Sequence, residues 1–194
     1  MNTQIRQIQQ KLGITADGVM GPQTLTAISK ALGVVSPPLW PTQAEVRKGT
    51  SRFGHPGNEA LLTNIVPPYP LLYEGRAVRT IRVHEAVAAH VLAALREVLE
   101  HYGQEAIHRL GLDVYGGCYN YRCTAAGKAL SMHAWGIALD FSPAANAYNT
   151  HAPRATLSCK ECERWWEIWE SHGAVSLGRT KDYDWMHLQF ARLN

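Results

Sequence analysis

Residues 131–141 read SMHAWGIALDF, and this stretch decides the expected fold. Its second half alternates between large apolar side chains and small or polar ones, which is the period of a half-buried strand. Ile137, Leu139 and Phe141 would then face a core, while Asp140 points to the opposite face. The stretch therefore predicts a short strand that offers one metal-binding side chain on the face away from its core.

Residues 185–190 read WMHLQF and predict a second strand of the same kind. Its apolar residues, beginning with Met186, would face the core, and His187 would share the other face with Gln189. Each of the two predicted strands therefore carries one metal-binding side chain on its second face.

Together with His133, these side chains make a donor set suited to a catalytic zinc ion. Such an ion takes three protein ligands, here His133, Asp140 and His187, and keeps its fourth position for water. It lowers the pKa of that water to roughly 7, and a nearby carboxylate then has to carry protons from the water to the leaving amine. Asp184, three positions before His187, could supply that carboxylate.

The spacing of these residues requires two bends in the chain. His133 and Asp140 lie an odd number of residues apart, so one straight strand would place them on opposite faces. His133 is therefore expected in a turn that ends near Gly136, where the chain can bend. A similar bend is expected between Asp184 and His187.

Two longer helices are predicted in the main part of the chain. Helical spacing of apolar residues runs through 82–102 and ends at Gly103, and a second helix is expected over 159–172. Ser158 and Glu161 would form a capping box at the start of the second helix, and its tryptophans would pack in the core.

The first part of the chain has a different organisation. Residues 1–34 contain two short amphipathic helices on either side of an Asp-Gly turn. Prolines at positions 37, 38 and 41 favour a semi-rigid connector over 35–41. The expected domains are therefore 1–34, the linker 35–41, and 42–194.

The beginning of the main domain is predicted to contain little regular structure. Thr42 and Glu45 predict a capping box that opens a short helix. Residues 51–80 are rich in glycine and proline and predict loops with one short strand.

Two motifs carry a family resemblance. The pattern Ser-x-His-x-x-Gly-x-Ala-x-Asp over 131–140, followed by Asp-x-x-His over 184–187, resembles the D-alanyl-D-alanine carboxypeptidase and dipeptidase family, whose phage-endolysin branch cleaves L-alanyl-D-glutamate bonds. The resemblance implies one zinc ion as cofactor, held by the two histidines and Asp140, with Asp184 as the general acid and base. Asp182 is the alternative base, but it lacks the x-x-His spacing.

The resemblance extends upstream of the first motif. Residues 115–122 read YGGCYNYR, and the family has an arginine in this region. Arg122 would accordingly bind a substrate carboxylate or stabilise the oxyanion. The alternative is a structural arginine paired to an acid. Ser131 would help to orient the site through its hydroxyl.

The resemblance also implies a fold. We expect an α+β domain with a small antiparallel sheet and flanking helices, similar to the lysostaphin, D-Ala-D-Ala metallopeptidase and hedgehog group, preceded by a small all-α module. That module resembles the short peptidoglycan-binding module in its Ile-x-x-Ile-Gln-x-x-Leu-Gly helix (5–13) and its Asp-Gly-x-x-Gly-Pro-x-Thr turn (17–24). The alternative is a helical hairpin that packs on the main domain.

The four cysteines are Cys118, Cys123, Cys159 and Cys162. Free or structurally paired cysteines, three possible disulfide pairings and a structural zinc site all fit their spacing. A redox role would need a thioredoxin-like context that the sequence does not show.

Composition narrows the function classes. The chain has 194 residues, 46% of them hydrophobic, and a net charge of +3, which gives weak support to nucleic-acid binding. It contains no run of about 20 apolar residues that could span a membrane and no apolar signal segment.

The predicted function is therefore that of a monomeric cell-wall lytic zinc peptidase, an endolysin that cuts peptidoglycan, with L-alanyl-D-glutamate as the expected bond. It would stay in the host cytoplasm until the membrane is permeabilised and then act on the wall in the periplasm. The alternatives are a bacterial D-alanyl-D-alanine carboxypeptidase and a non-catalytic cell-wall-binding protein.

Overall fold

The computed structural model describes residues 2–32, 39–124, 127 and 129–193. The chain divides into two compact units, Met1–Pro38 and Leu39–Asn194. Most of the predicted linker, 35–38, lies outside the described residues. At its end, Trp40 is a buried core residue of the second unit and stacks on Phe53, with 5.5 Å between ring centroids.

The first unit consists of two helices, α1 (Asn2–Lys11) and α2 (Pro22–Ala31), joined by the predicted turn. The buried side chain of Gln9 holds that turn from inside. Its Nε2 donates to Asp17 Oδ1 at 2.6 Å and to Thr24 Oγ1 at 2.8 Å, and its Oε1 accepts from the Gly18 amide at 2.8 Å. A single polar side chain therefore connects α1, the turn and α2.

The second unit is an α+β fold. Its helices are α3 (Gln43–Arg47), α4 (Glu85–Arg109), α5 (Glu163–Ser171) and α6 (Leu177–Lys181). Its strands are β1 (Leu62–Ile65), β2 (Leu71–Tyr73), β3 (Arg76–Val78), β4 (Ile81–His84), β5 (Tyr115–Gly117), β6 (Ala138–Phe141), β7 (Val175–Ser176) and β8 (His187–Gln189). In the part of the chain that the structure describes, no helix is long and apolar enough to cross a membrane.

The strands form one central sheet and two antiparallel pairs. The central sheet has the order β5-β6-β8-β7, and all its pairings are antiparallel. β1 pairs with β4, and β2 pairs with β3. Within the central sheet, Asp140 of β6 lies directly opposite His187 of β8, so the two predicted strands are neighbours.

The core lies on one side of this pairing. The Phe141 ring packs against Trp165 and Trp169 of α5, with centroids 5.3 and 5.7 Å apart. The three tryptophans of α5 are buried, which confirms their prediction as core residues. Burial of a large apolar side chain stabilises a domain by about 1.5–3 kcal/mol. The packing of Phe141 on the α5 tryptophans therefore stabilises the attachment of the sheet to this helix.

The start of α4 differs from the prediction. The helix expected at 82 begins at Glu85, because Ile81–His84 pairs with β1 and His84 Nδ1 accepts from the Ala86 amide as the cap of α4. Gly103, with φ of 67°, interrupts this helix, as predicted, but the chain resumes it to Arg109.

The predicted capping box of Ser158 and Glu161 is wrong. A 3-10 turn over Lys160–Cys162 precedes α5, and the Ser158 hydroxyl donates to the Ala155 carbonyl instead of capping a helix. The Glu161 carboxylate accepts from Arg109 Nη2 at 2.9 Å, so it too is engaged elsewhere.

At the beginning of the second unit, the structure confirms one prediction and shows that another is wrong. The capping box of Thr42 and Glu45 is present at the start of α3. Residues 51–80, expected to hold one strand, contain the three strands β1, β2 and β3. These three strands are short and partly exposed, so their sequences show little alternation between apolar and polar residues.

Gly136 gives a test of the turn before β6. It is left-handed, with φ of 68°, and a Cβ there would lie 2.7 Å from Leu62 Cδ2 and 3.1 Å from the His84 backbone nitrogen. Gly136→Ala is therefore expected to lower the free energy of unfolding by roughly 2–5 kcal/mol, from backbone strain plus overpacking. Urea denaturation of the full chain measures this loss.

Gly75 supplies the matched control. It has a similar φ of 75°, but nothing lies within 4 Å of the position of a Cβ. Gly75→Ala should therefore cost only the backbone strain of about 1–2 kcal/mol. An equal loss of unfolding free energy in the two variants would contradict the close packing of the turn before β6 against the β1–β4 pair.

Candidate active site

His133 lies in the predicted turn, a 3-10 helix over Met132–Trp135. Ser131 caps this turn, because its hydroxyl accepts from the His133 amide at 3.4 Å. The His133 Nδ1 lies 2.6 Å from the Cys118 carbonyl, which can only accept a hydrogen bond. Nδ1 therefore carries a proton, and Nε2 is the nitrogen that faces the interior of the site and could bind a metal.

His187 is oriented in the complementary manner. Its Nε2 lies 3.2 Å from Gln189 Oε1, and an amide oxygen also only accepts. Nε2 therefore carries a proton, and Nδ1 is the nitrogen that points toward Asp140 and could bind a metal. Gln189, which the sequence placed on the same strand face, fixes this orientation.

Three ligand atoms converge between β6, β8 and the turn. His133 Nε2 lies 3.2 Å from Asp140 Oδ2, His187 Nδ1 lies 3.0 Å from Asp140 Oδ1, and the two imidazole nitrogens are 3.2 Å apart. All three residues are buried. Two imidazoles and one carboxylate, each held by a neighbouring acceptor or strand, fit the donor set of a catalytic zinc ion.

The electrostatics of the cluster favour a bound cation. Burial alone would raise the pKa of Asp140, but its hydrogen bonds to His133 and His187 outweigh burial and hold that pKa well below its ordinary value. Burial likewise opposes a charge on His187, yet the hydrogen bond and charge of Asp140 raise the pKa of this imidazole. The site therefore keeps an ionised carboxylate that requires a positive neighbour.

Asp184 stands beside this cluster in the second predicted bend, with φ of 53°. Its amide donates to the Tyr148 carbonyl at 3.0 Å, and its own carbonyl accepts from the His187 amide at 2.9 Å. Among the described residues, its buried Oδ1 has no hydrogen-bond partner, and burial raises the pKa of this carboxyl above its ordinary value. An unpaired buried carboxyl of this kind is suited to proton transfer.

Asp182, the alternative base, has a different place. Its Oδ1 accepts from the Ala152 amide and from Trp185 Nε1, both at 2.8 Å, and the residue is exposed. Asp182 therefore holds together the two loops beside the site, whereas Asp184 lines the cleft.

A cleft of about 260 Å³ opens onto the cluster. Asp140, Asp184, His187 and Arg122 are among the residues that line it. A second hollow of about 400 Å³ also borders Asp140, His133 and Arg122. The cluster is therefore bordered by two hollows, which share Asp140 and Arg122.

Arg122 is exposed and lines both hollows. Its Nη1 donates to the Cys123 carbonyl at 3.2 Å. Within the described ranges it forms no ion pair, so the structure does not show the acid-paired arginine that was the alternative.

Two residues near the site carry no motif in the sequence. Arg47 of α3 also lines the cleft, and its Nε donates to the Leu130 carbonyl at 3.1 Å. Asn146, fully buried, accepts from the Met186 amide through its carbonyl and so supports the start of β8. Both act through long-range packing, and no local pattern distinguishes them from ordinary polar residues.

The four cysteines take no part in a metal cluster. In the portion of the chain covered by the structure, the only group of three or more possible ligands is that of His133, Asp140 and His187. All four cysteines are free thiols. The structural zinc site considered from their spacing is therefore wrong.

A protein-family model matches part of the second unit. Residues 124–190 match the family model described as D-alanyl-D-alanine carboxypeptidase. This range contains His133, Asp140, Asp184 and His187. No curated protein and no solved structure matches the chain significantly. The match supports a peptidase domain of this type, and hence a hydrolase, in the second unit.

Metal uptake tests the cluster directly. The metal-free protein is expected to bind one zinc ion per chain. At a free zinc concentration of about 1,000 times Kd, binding should stabilise the fold by about 4 kcal/mol, a rise in Tm of roughly 8–16 °C at this size. Calorimetry and atomic absorption measure the two quantities.

His187→Ala should abolish both effects, whereas His101→Ala, a change of the same kind on the exposed part of α4, should leave them unchanged. Equal zinc uptake by the protein and by its His187→Ala variant would refute the assignment.

Proposed function

We propose that this protein is a zinc-dependent peptidase that hydrolyses an amide bond in the stem peptide of peptidoglycan. One observation carries the proposal: three buried metal-binding side chains converge beside an unpaired, buried carboxyl that lines a cleft. The family match over 124–190 covers all four residues and supports the same class of reaction.

The residues present would divide the chemistry as follows. A zinc ion held by His133, Asp140 and His187 would supply a Lewis acid and a water of lowered pKa. Asp184 would accept the proton of the attacking water and return it to the leaving amine. Arg122 would stabilise the negative charge that develops at the scissile carbonyl oxygen.

The side chains of the cleft are compatible with the L-alanyl-D-glutamate bond. In the stem peptide D-glutamate is linked through its γ-carboxyl, so its α-carboxylate stays free close to this bond. Two guanidinium groups, Arg47 and Arg122, line the cleft, and within the described residues neither is paired with an acid. One guanidinium group could bind this α-carboxylate while the other stabilises the negative charge at the scissile carbonyl oxygen.

The second candidate is a D-alanyl-D-alanine carboxypeptidase, and the description of the matching family model favours it. That substrate ends in a carboxylate next to the scissile bond, which the same pair of arginines could accommodate. The two activities share the metal cluster and Asp184, so they differ in the position of the bond and not in the chemistry.

We further propose that the first unit holds the enzyme to the wall. Its turn is rigidly organised by Gln9, and its motif resembles a peptidoglycan-binding module. A wall-binding unit joined to a wall-cleaving unit would suit an endolysin that acts on whole cell walls.

Product analysis distinguishes the two candidate activities. Purified peptidoglycan is digested with the zinc-loaded full chain, and the products are identified by mass spectrometry. The endopeptidase leaves L-alanine on the glycan and releases peptides that begin with D-glutamate, whereas the carboxypeptidase releases free D-alanine. Absence of both products would favour the non-catalytic wall-binding alternative.

Asp184→Asn tests the proton carrier. It removes the titrating oxygen at nearly constant volume, so activity should fall by about 10²–10⁴-fold while zinc uptake persists. Asp182→Asn makes the same change at a carboxylate outside the cleft and should retain activity within roughly tenfold. The rate of peptide release from purified peptidoglycan measures both. Full activity in the Asp184 variant would exclude its role.

Arg47→Gln tests the charge preference of the cleft. The change should raise KM for a stem peptide with a free D-glutamate carboxylate by about 5–50-fold. This rise corresponds to the loss of one charge-assisted hydrogen bond worth about 1–2.3 kcal/mol. The KM for the amidated D-isoglutamine peptide should hardly change. Steady-state kinetics on the two synthetic peptides gives the comparison.

Lys48→Gln, which removes the neighbouring exposed charge outside the cleft, is the matched control and should affect neither KM. A similar loss for the free and the amidated peptide on Arg47→Gln would show that Arg47 does not bind this carboxylate.

A further inference from the structure

A pair of thiols lies at the start of α5, outside the cleft. Cys159 and Cys162 flank the 3-10 turn over Lys160–Cys162, and the Cys162 amide donates to the Cys159 carbonyl at 3.0 Å. This turn brings the two sulfur atoms to 3.4 Å from each other. We propose that Cys159 and Cys162 form a dithiol site that reacts with small disulfide molecules and closes to an intramolecular disulfide.

The geometry of the pair permits this bond. A disulfide has an S–S distance of about 2.0 Å, so the sulfurs, now 3.4 Å apart, have to approach by only about 1.4 Å. Side-chain rotation can supply a movement of this size because the turn already directs both side chains to the same side.

The two thiols differ in accessibility, and this difference assigns their roles. Cys159 is exposed and borders a hollow of about 460 Å³ together with Trp166, Arg179 and Trp185. Cys162 is only 1% exposed, and burial raises the pKa of its thiol. A disulfide molecule can therefore reach Cys159, whereas Cys162 is reached by its neighbour.

The reaction proceeds by two exchanges. The Cys159 thiolate attacks a disulfide such as oxidised glutathione, forms a mixed disulfide and releases the first thiol. Cys162, on losing its proton, attacks Cys159 Sγ and releases the second thiol. The protein loses two electrons and two protons, and the small disulfide gains them as two thiols.

Closure would anchor the start of α5. Cys162 is the cap residue of this helix, and Trp165 in its first turn packs on Phe141 of β6. A covalent link at this point restricts the unfolded chain more than the folded one. The oxidised protein should therefore melt at a temperature a few degrees above that of the reduced protein.

The experiment uses the zinc-loaded full chain in buffers with increasing ratios of oxidised to reduced glutathione. Samples are quenched in acid, unfolded, alkylated and mapped by mass spectrometry. The expected result is a peptide that contains Cys159 and Cys162 without alkylation and with two hydrogens fewer, at ratios where Cys118 is still alkylated. The folded protein should give this product without a lasting glutathione adduct.

Two variants separate this outcome from simple exposure. Cys162→Ser should accumulate a glutathione adduct at Cys159, because the second exchange is lost. In the Cys159→Ser variant, Cys162 should be alkylated only after the protein is unfolded. The Tm of this variant should no longer depend on the glutathione ratio. Cys123, which is exposed but has no neighbouring thiol among the described residues, serves as the internal control and should form only the adduct.

The proposal is overturned if the wild-type protein accumulates the adduct at Cys159 to the same extent as the Cys162→Ser variant. It is also overturned if Cys162 reacts in the folded Cys159→Ser variant as fast as Cys123. The wild-type mapping alone decides the matter if a variant does not fold.

Discussion

The antiparallel pairing of β6 with β8 determines the arrangement of the site. In this register Asp140 lies directly opposite His187, and their side chains meet at 3.0 Å. A shift of one residue would turn His187 to the other face and place Met186 or Leu188 opposite Asp140 instead. The third metal-binding residue, His133, can join this pair only because the turn before β6 brings its imidazole back over the strand.

The same pairing also places the carboxyl that is suited to proton transfer. The Phe141 amide donates to the Met186 carbonyl, and the Met186 amide donates in turn to the Asn146 carbonyl. These bonds tie the loop after β6 to the segment before β8, where Asp184 is held by the Tyr148 carbonyl. Such a concentration of buried polar groups is costly. The tryptophans of α5 behind the sheet offset that cost, so the hydrophobic side of β6 supports the chemistry on its other side.

The elements that the sequence could predict are those marked by a pattern within a few neighbouring residues. Alternation within six residues identifies β6 and β8, and the odd spacing of His133 and Asp140 requires the turn that the structure contains. β1 and β4 escaped prediction because pairing between separate segments creates them, and the β2–β3 hairpin escaped it because strands of three residues are too short to show an alternation. His84 shows this well: its stretch has helical spacing, but the hydrogen bonds with β1 keep it in a strand. Arg47 likewise reaches the cleft through the docking of α3, where Gln43 Nε2 donates to Gln189 Oε1 at 2.9 Å.

Anomalous diffraction at the zinc absorption edge, from crystals of the zinc-loaded full chain, tests the central claim most directly. One strong peak is expected about 2.0–2.2 Å from His133 Nε2, a carboxylate oxygen of Asp140 and His187 Nδ1, with the fourth direction open to the cleft. A peak bound through His187 Nε2, or one located away from the β6–β8 pair, would contradict this claim.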